Sequence, residues 1–103
     1  MHIQHDIPSQ AVTDAAPVVA YTVPDRFKLK MTEIILTNPD VAPANILIQD
    51  VSGMNSVEKL NVIVPAGETL IICGIMRHFA KSVVVTNLTA ATTVSVSSSG
   101  YLC

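Results

Sequence analysis

Aromatic side chains are scarce in this sequence: two Tyr, two Phe and no Trp among 103 residues. That is a poor supply for the stacking platforms that sugar sites and single-stranded nucleic-acid grooves rely on. Charge is scarce too, at 14% of residues against the usual quarter. The six Lys and Arg are scattered and the net charge is −2, which argues against a nucleic-acid partner. Two cysteines cannot build a disulfide framework, so both are expected as free thiols, Cys73 as a small buried hydrophobe and Cys103 at the last position, an odd place for a nucleophile. The longest apolar run, Leu70–Met76, is broken by Gly74 and falls well short of the roughly 18 residues of a membrane span. After Met1 the chain reads HIQHDIPSQ, with no basic stretch leading into an apolar one, so no secretory signal is expected.

What remains is aliphatic. Half the residues are apolar, mostly Val, Ile, Leu and Ala, and these favour strands. So little charge on so small a domain fits a core-heavy sandwich or a subunit that hides surface in an assembly. The first sixteen residues show neither a period of 2 nor one of 3.6 and read as an extended N-terminal arm. From residue 17 to 103 short strands alternate with turn signals, which predicts one antiparallel β-sandwich of about seven or eight strands, jelly-roll or Greek-key-like. The candidate strands are Val18–Val23, Phe27–Thr37, Asn45–Val51, Glu58–Val64, Thr69–Cys73, Ser82–Thr86 and Thr92–Ser97, with a short piece near Tyr101. GIMRHFAKS could supply a single helical turn. VPDR and VPAG place Pro before Asp25 and Ala66, as in type I turns.

The stretch YTVPDRFKLKMTEIILTN carries the sharpest packing signal. Phe27, Leu29 and Met31 alternate with Lys28, Lys30 and Thr32, and then Ile34, Ile35 and Leu36 arrive in a row. Strict alternation would bury Glu33. A β-bulge near Thr32 would rescue it and put Ile34 on the Met31 side, yet would leave one of the three aliphatics facing out as a candidate contact. A faint echo also runs through the chain: Val23-Pro24, Leu36-Thr37-Asn38 and Ser52-Gly53 against Val64-Pro65, Val85-Thr86-Asn87 and Ser99-Gly100. Repeated hairpin punctuation in a narrow alphabet would produce the same echo.

Chemistry-bearing residues do not converge. His2 and His5 stand three apart with no Cys, Asp or Glu cluster to complete a metal set, and His78 reads as a surface or contact residue. Asp25, Glu33, Asp40, Asp50, Glu58 and Glu68 are isolated in turns or on outward strand positions. AGET is not a phosphate loop and VSGMNS is not a nucleophile elbow. The sequence therefore assigns no catalytic, cofactor or metal residue, and a cupin-type enzyme ranks last. Candidate contact residues are Ile3, Ile7, Ile34, Leu36, Arg77 and His78.

The layout YTVP-DRFKLKMTEIILTNP, then VPAGETLIICG, then KSVVVTNLTAATTVSVSSSGYL resembles small β-sandwich virion proteins of tailed bacteriophages, over roughly Tyr21 to Leu102. The likeness lies in turn punctuation and strand composition. ICGIMRHF departs from it where a Gly/Asp turn is more usual, as does the polar segment 1–16. The resemblance implies a non-enzymatic structural subunit of the virion, assembled in the host cytoplasm. Its expected role is a capsid decoration (cement) protein, or else a neck, tail or fibre component. It also implies an oligomer, often a trimer, with copies of itself and a major capsid or other virion protein as partners, and an arm that grips a neighbour. A carbohydrate-binding or adhesion module is the alternative from another class.

Overall fold

The computed structural model describes residues 3–13 and 16–103, the side chains of residues 74–77 excepted. Eight strands follow one another: β1 (Ile3–Thr13), β2 (Val18–Thr22), β3 (Leu29–Thr37), β4 (Ala44–Ser52), β5 (Asn55–Val64), β6 (Thr69–Phe79), β7 (Ser82–Asn87) and β8 (Thr93–Leu102). They form two four-stranded antiparallel sheets in the orders β1-β8-β3-β6 and β2-β7-β4-β5. That interleaving is the jelly roll: consecutive strands mostly alternate between sheets, and the two sheets face each other across one core. Leu29, Met31, Leu36, Val94 and Phe79 from the first sheet meet Ile46, Ile48, Val64, Val83 and Val85 from the second, all essentially sealed from water.

The predicted bulge is present. The β3 register slips between Met31 and Glu33 against both β8 and β6. Thr32 is the extra residue against β8, so Ile34 and Leu36 join Leu29 and Met31 inside while Glu33 and Ile35 turn outward. Gly100 lies opposite Met31 at this slip, and a β-carbon there would stand 2.9 Å from the Met31 Cα. Phe27, read as the first inward residue of this strand, instead precedes it and is exposed.

The N-terminal arm is corrected. Residues 3–13 are an edge strand laddered to β8 from Ile3↔Leu102 to Thr13↔Thr93, with Ile7 and Val12 in the core. Its alternation is broken by a bulge between Ile7 and Gln10, around Pro8 and Ser9. Two of its half-buried residues are polar: His5 tilts against Tyr21 at 4.4 Å, and Gln10 Nε2 donates to the Ala20 carbonyl. Hence no period was visible. The single helical turn in GIMRHFAKS is also corrected, because β6 runs on through it to Phe79.

The turns at both Val-Pro pairs differ from the type I expectation in the same way. The Phe27 N–H donates to Pro24 O and the Glu68 N–H to Pro65 O, so each Pro is the first residue of its turn. The third residue, Arg26 at φ 69° or Gly67 at φ 69°, takes the left-handed conformation that a type II turn requires.

Candidate functional site

The strands run between two ends. One end, the tip, gathers residues 16–17 and the connections 38–43, 65–68 and 88–92; the other, the foot, gathers 23–28, 53–54 and 80–81 and the residues flanking the Ile3↔Leu102 pair. Each end is tied by side chains to backbone. At the tip, Asn38 and Asn87 are fully buried. Each accepts at Oδ1 from the N–H two residues on, that of Asp40 or Thr89, both at 3.0 Å. Each donates from Nδ2 both to its own loop and to the opposite sheet. Asn38 reaches Ala42 O at 2.9 Å and Val64 O at 3.1 Å; Asn87 reaches Thr92 O at 3.1 Å and Val12 O at 3.4 Å.

The two Thr-Asn copies of the sequence echo are thus physically equivalent. The rest of the echo is not. One strand separates Val23-Pro24 from Asn38 but two separate Val64-Pro65 from Asn87, and Gly53 turns between strands while Gly100 lies inside one.

At the foot, Asp50 accepts from the N–H groups of Ala80, Lys81 and Ser82 at 2.8, 3.1 and 3.1 Å. Burial pushes its carboxyl up, but those three hydrogen bonds and the Lys59 ammonium outweigh burial and hold it below its ordinary value.

A shallow hollow of about 300 Å³ opens on the outer face of the β1-β8-β3-β6 sheet. Asp6, Glu33, Ile35, Ser97 and Ser99 line it, with Ile7 and Ser98 at its floor. Asp6 and Glu33 both pair with Ser99, one from each side, so two strand spacings, about 10 Å, separate their backbones. Serine hydroxyls between two carboxylates can accept and donate hydrogen bonds to a polar ligand. Asp6 is exposed, however, so the hollow is not the water-excluded, preorganised pocket that gives catalytic groups their leverage. Among the described residues no three His, Cys, Asp or Glu side chains converge as a metal set.

The contact candidates separate cleanly. Ile34 and Leu36 are core residues at 3% and 0% exposure, and Ile7 is core as well, so these three are corrected: none offers surface to a partner. Ile3 is exposed at the start of β1, and His78 is exposed on β6 opposite Lys30. The Arg77 side chain lies outside the described residues, as does His2. The leftover aliphatic of the Ile-Ile-Leu run is Ile35, which pairs with the exposed Ile71. Cys73, expected inside, is exposed beside them.

Sequence reasoning missed the outer face of the other sheet, where Val19 beside Val84 and Ile63 beside Asn45 stand at 59% and 65% exposure, and also the loop residues Val41, Met54 and Leu88. NVIV at Asn61–Val64 carried the signal for Ile63, since an uninterrupted Val-Ile-Val in a strand covered on one side must show one residue to solvent. No protein-family model and no curated protein matches the chain.

Proposed function

We propose that this chain is a non-enzymatic structural subunit of a phage virion, of the capsid decoration kind, which works by being packed against other chains. The observation that carries the reading is the placement of exposed aliphatics on a jelly roll. The exposed Ile71, beside a half-buried Ile35, lies on the outside of one sheet and the exposed Val19 and Ile63 on the outside of the other, in a chain with only 14% charged residues. Each square ångström of such surface covered by a partner is worth about 25 cal/mol before the costs of association. A sandwich with two aliphatic outer faces gains by insertion between neighbours in a shell or at a joint. The resemblance to small virion proteins supports the same role, with the grip assigned to the sheet faces and not to an arm.

The test is direct. Purified particles carrying the gene, analysed by quantitative mass spectrometry, should contain the chain in many copies, and particles lacking it should lose contents at a lower temperature. Absence of the chain from purified particles would sink the proposal. The hydroxyl-and-carboxylate hollow favours one second reading, a carbohydrate-binding module; saturable binding on a glycan array, lost in Asp6→Ala or Glu33→Ala, would promote it.

A further inference from the structure

The molecule is electrically polarised along its length. All six Lys and Arg fall in the foot half: Arg26 and Lys28 in the β2–β3 connection, Lys30 at the start of β3, Lys81 in the β6–β7 turn, Lys59 on β5, and Arg77 by its backbone position opposite Met31. Four carboxylates share that half, Asp6, Asp25, Asp50 and Glu58, with Glu33 midway along β3, and Asp50 is already engaged by the backbone of the β6–β7 turn. At the tip the described connections carry Asp40 and Glu68 and no cation at all. The principal dimensions are 43 × 29 × 18 Å, so opposite charges sit at the ends of an elongated body, several Debye lengths apart.

Both ends are also apolar. Val41 at the tip is 100% exposed and Leu88 50%, among exposed Pro39, Ala42, Pro43 and Ala90; at the foot Met54 is 102% exposed and Phe27 37%. The tip is held rigid by the buried Asn38 and Asn87, so these aliphatics are presented on a fixed surface.

We infer that copies of this chain associate head to tail, the cationic foot of one against the anionic, aliphatic tip of the next. Tip against tip or foot against foot would bring like charges together, whereas tip against foot pairs Glu68 and Asp40 with Arg26, Lys28 and Lys30 and covers Val41 with Phe27 or Met54. An interface between two different patches is heterologous, so it propagates into a ring or an open filament and does not stop at a dimer. The inference deepens the structural-subunit reading and can fail while that reading stands, because incorporation is read from particles and self-association from the isolated chain.

The experiment is sedimentation velocity on the intact chain over a concentration series, at about 50 mM and about 500 mM NaCl. Association that grows with concentration and weakens about tenfold or more at the higher salt is expected. Glu68→Lys and Lys28→Glu should each remain monomeric alone. Both alter exposed side chains whose structural bonds run only through their main chain, and circular dichroism checks that each still folds. An equimolar mixture of the two should associate again, since each variant keeps the end the other has lost. A wild-type monomer at every concentration overturns the inference, as does loss of association in Glu68→Lys but not in Lys28→Glu, which would mark a tip-to-tip contact.

Discussion

Asp50 holds the β6–β7 turn with a single carboxylate, and the direction of its shift fixes how that turn responds to acid. A carboxyl held below its ordinary value in the folded state contributes stability that is present above the unfolded value, about 3.9, and is lost as pH falls through the folded one. Asp50→Asn keeps the shape but turns an amide toward three N–H donors, so it should lower unfolding free energy near neutral pH by about 1–2 kcal/mol. The gap between wild type and variant should close in acid, as read by urea denaturation at several pH values. Gly100 makes the complementary case in the sheet interior. A β-carbon there would press on the Met31 Cα and the Lys30 backbone, which are ladder atoms and not a movable side-chain end. Gly100→Ala should therefore cost about 1–3 kcal/mol. A melting temperature equal to wild type would show that β3 and β8 can part at the bulge without penalty.

At the scale of the element, the Thr-Asn pairs do work that composition conceals. Each Asn ends a strand of one sheet and bonds a carbonyl of an edge strand in the other, Asn38 to Val64 and Asn87 to Val12. Sheet-to-sheet packing is otherwise non-directional, and these bonds fix the relative position of the sheets at the tip. Asn38→Ala or Asn87→Ala would strand a buried carbonyl and a loop N–H, and each should cost about 2–3 kcal/mol. The two share no partner, so the double variant should lose about the sum; thermal unfolding of all three gives the comparison. The same elements show what a sequence can reveal. The β3 bulge was legible because Glu33 would otherwise be buried, a conflict visible within nine residues. The β1 strand was not, because its bulge at Pro8-Ser9 and its inward His5 and Gln10 erase the period, and its partner β8 lies some ninety residues away. In the hollow, Glu33 was singled out from its own strand, but its meeting with Asp6 across Ser99 depends on that same distant pairing.

For the whole molecule, the decisive contact is therefore β1 on β8, which joins the two ends of the chain. Ile3 pairs with Leu102, so the first and last described strands end side by side at the foot. Until this ladder closes, β8 lacks one neighbour and Ile7 and Val12 have no core to enter. Topologies dominated by such distant pairings pay loop-closure entropy before any contact rewards it, and they fold slowly. Moving the chain ends should relieve that cost without disturbing the packed state. A circular permutant joining residue 103 to residue 1 through about four Gly/Ser residues, opened between Asp25 and Arg26 in the exposed β2–β3 connection, whose flanking strands lie in different sheets, keeps every ladder intact and lengthens none of them. It should match the wild-type circular dichroism spectrum and refold faster in stopped-flow dilution from urea, because β8 and β1 become a local hairpin. A permutant that folds no faster would mean that β1–β8 closure is not the slow step, and one that fails to fold would mean that residues 3–13 are not the strand they form here.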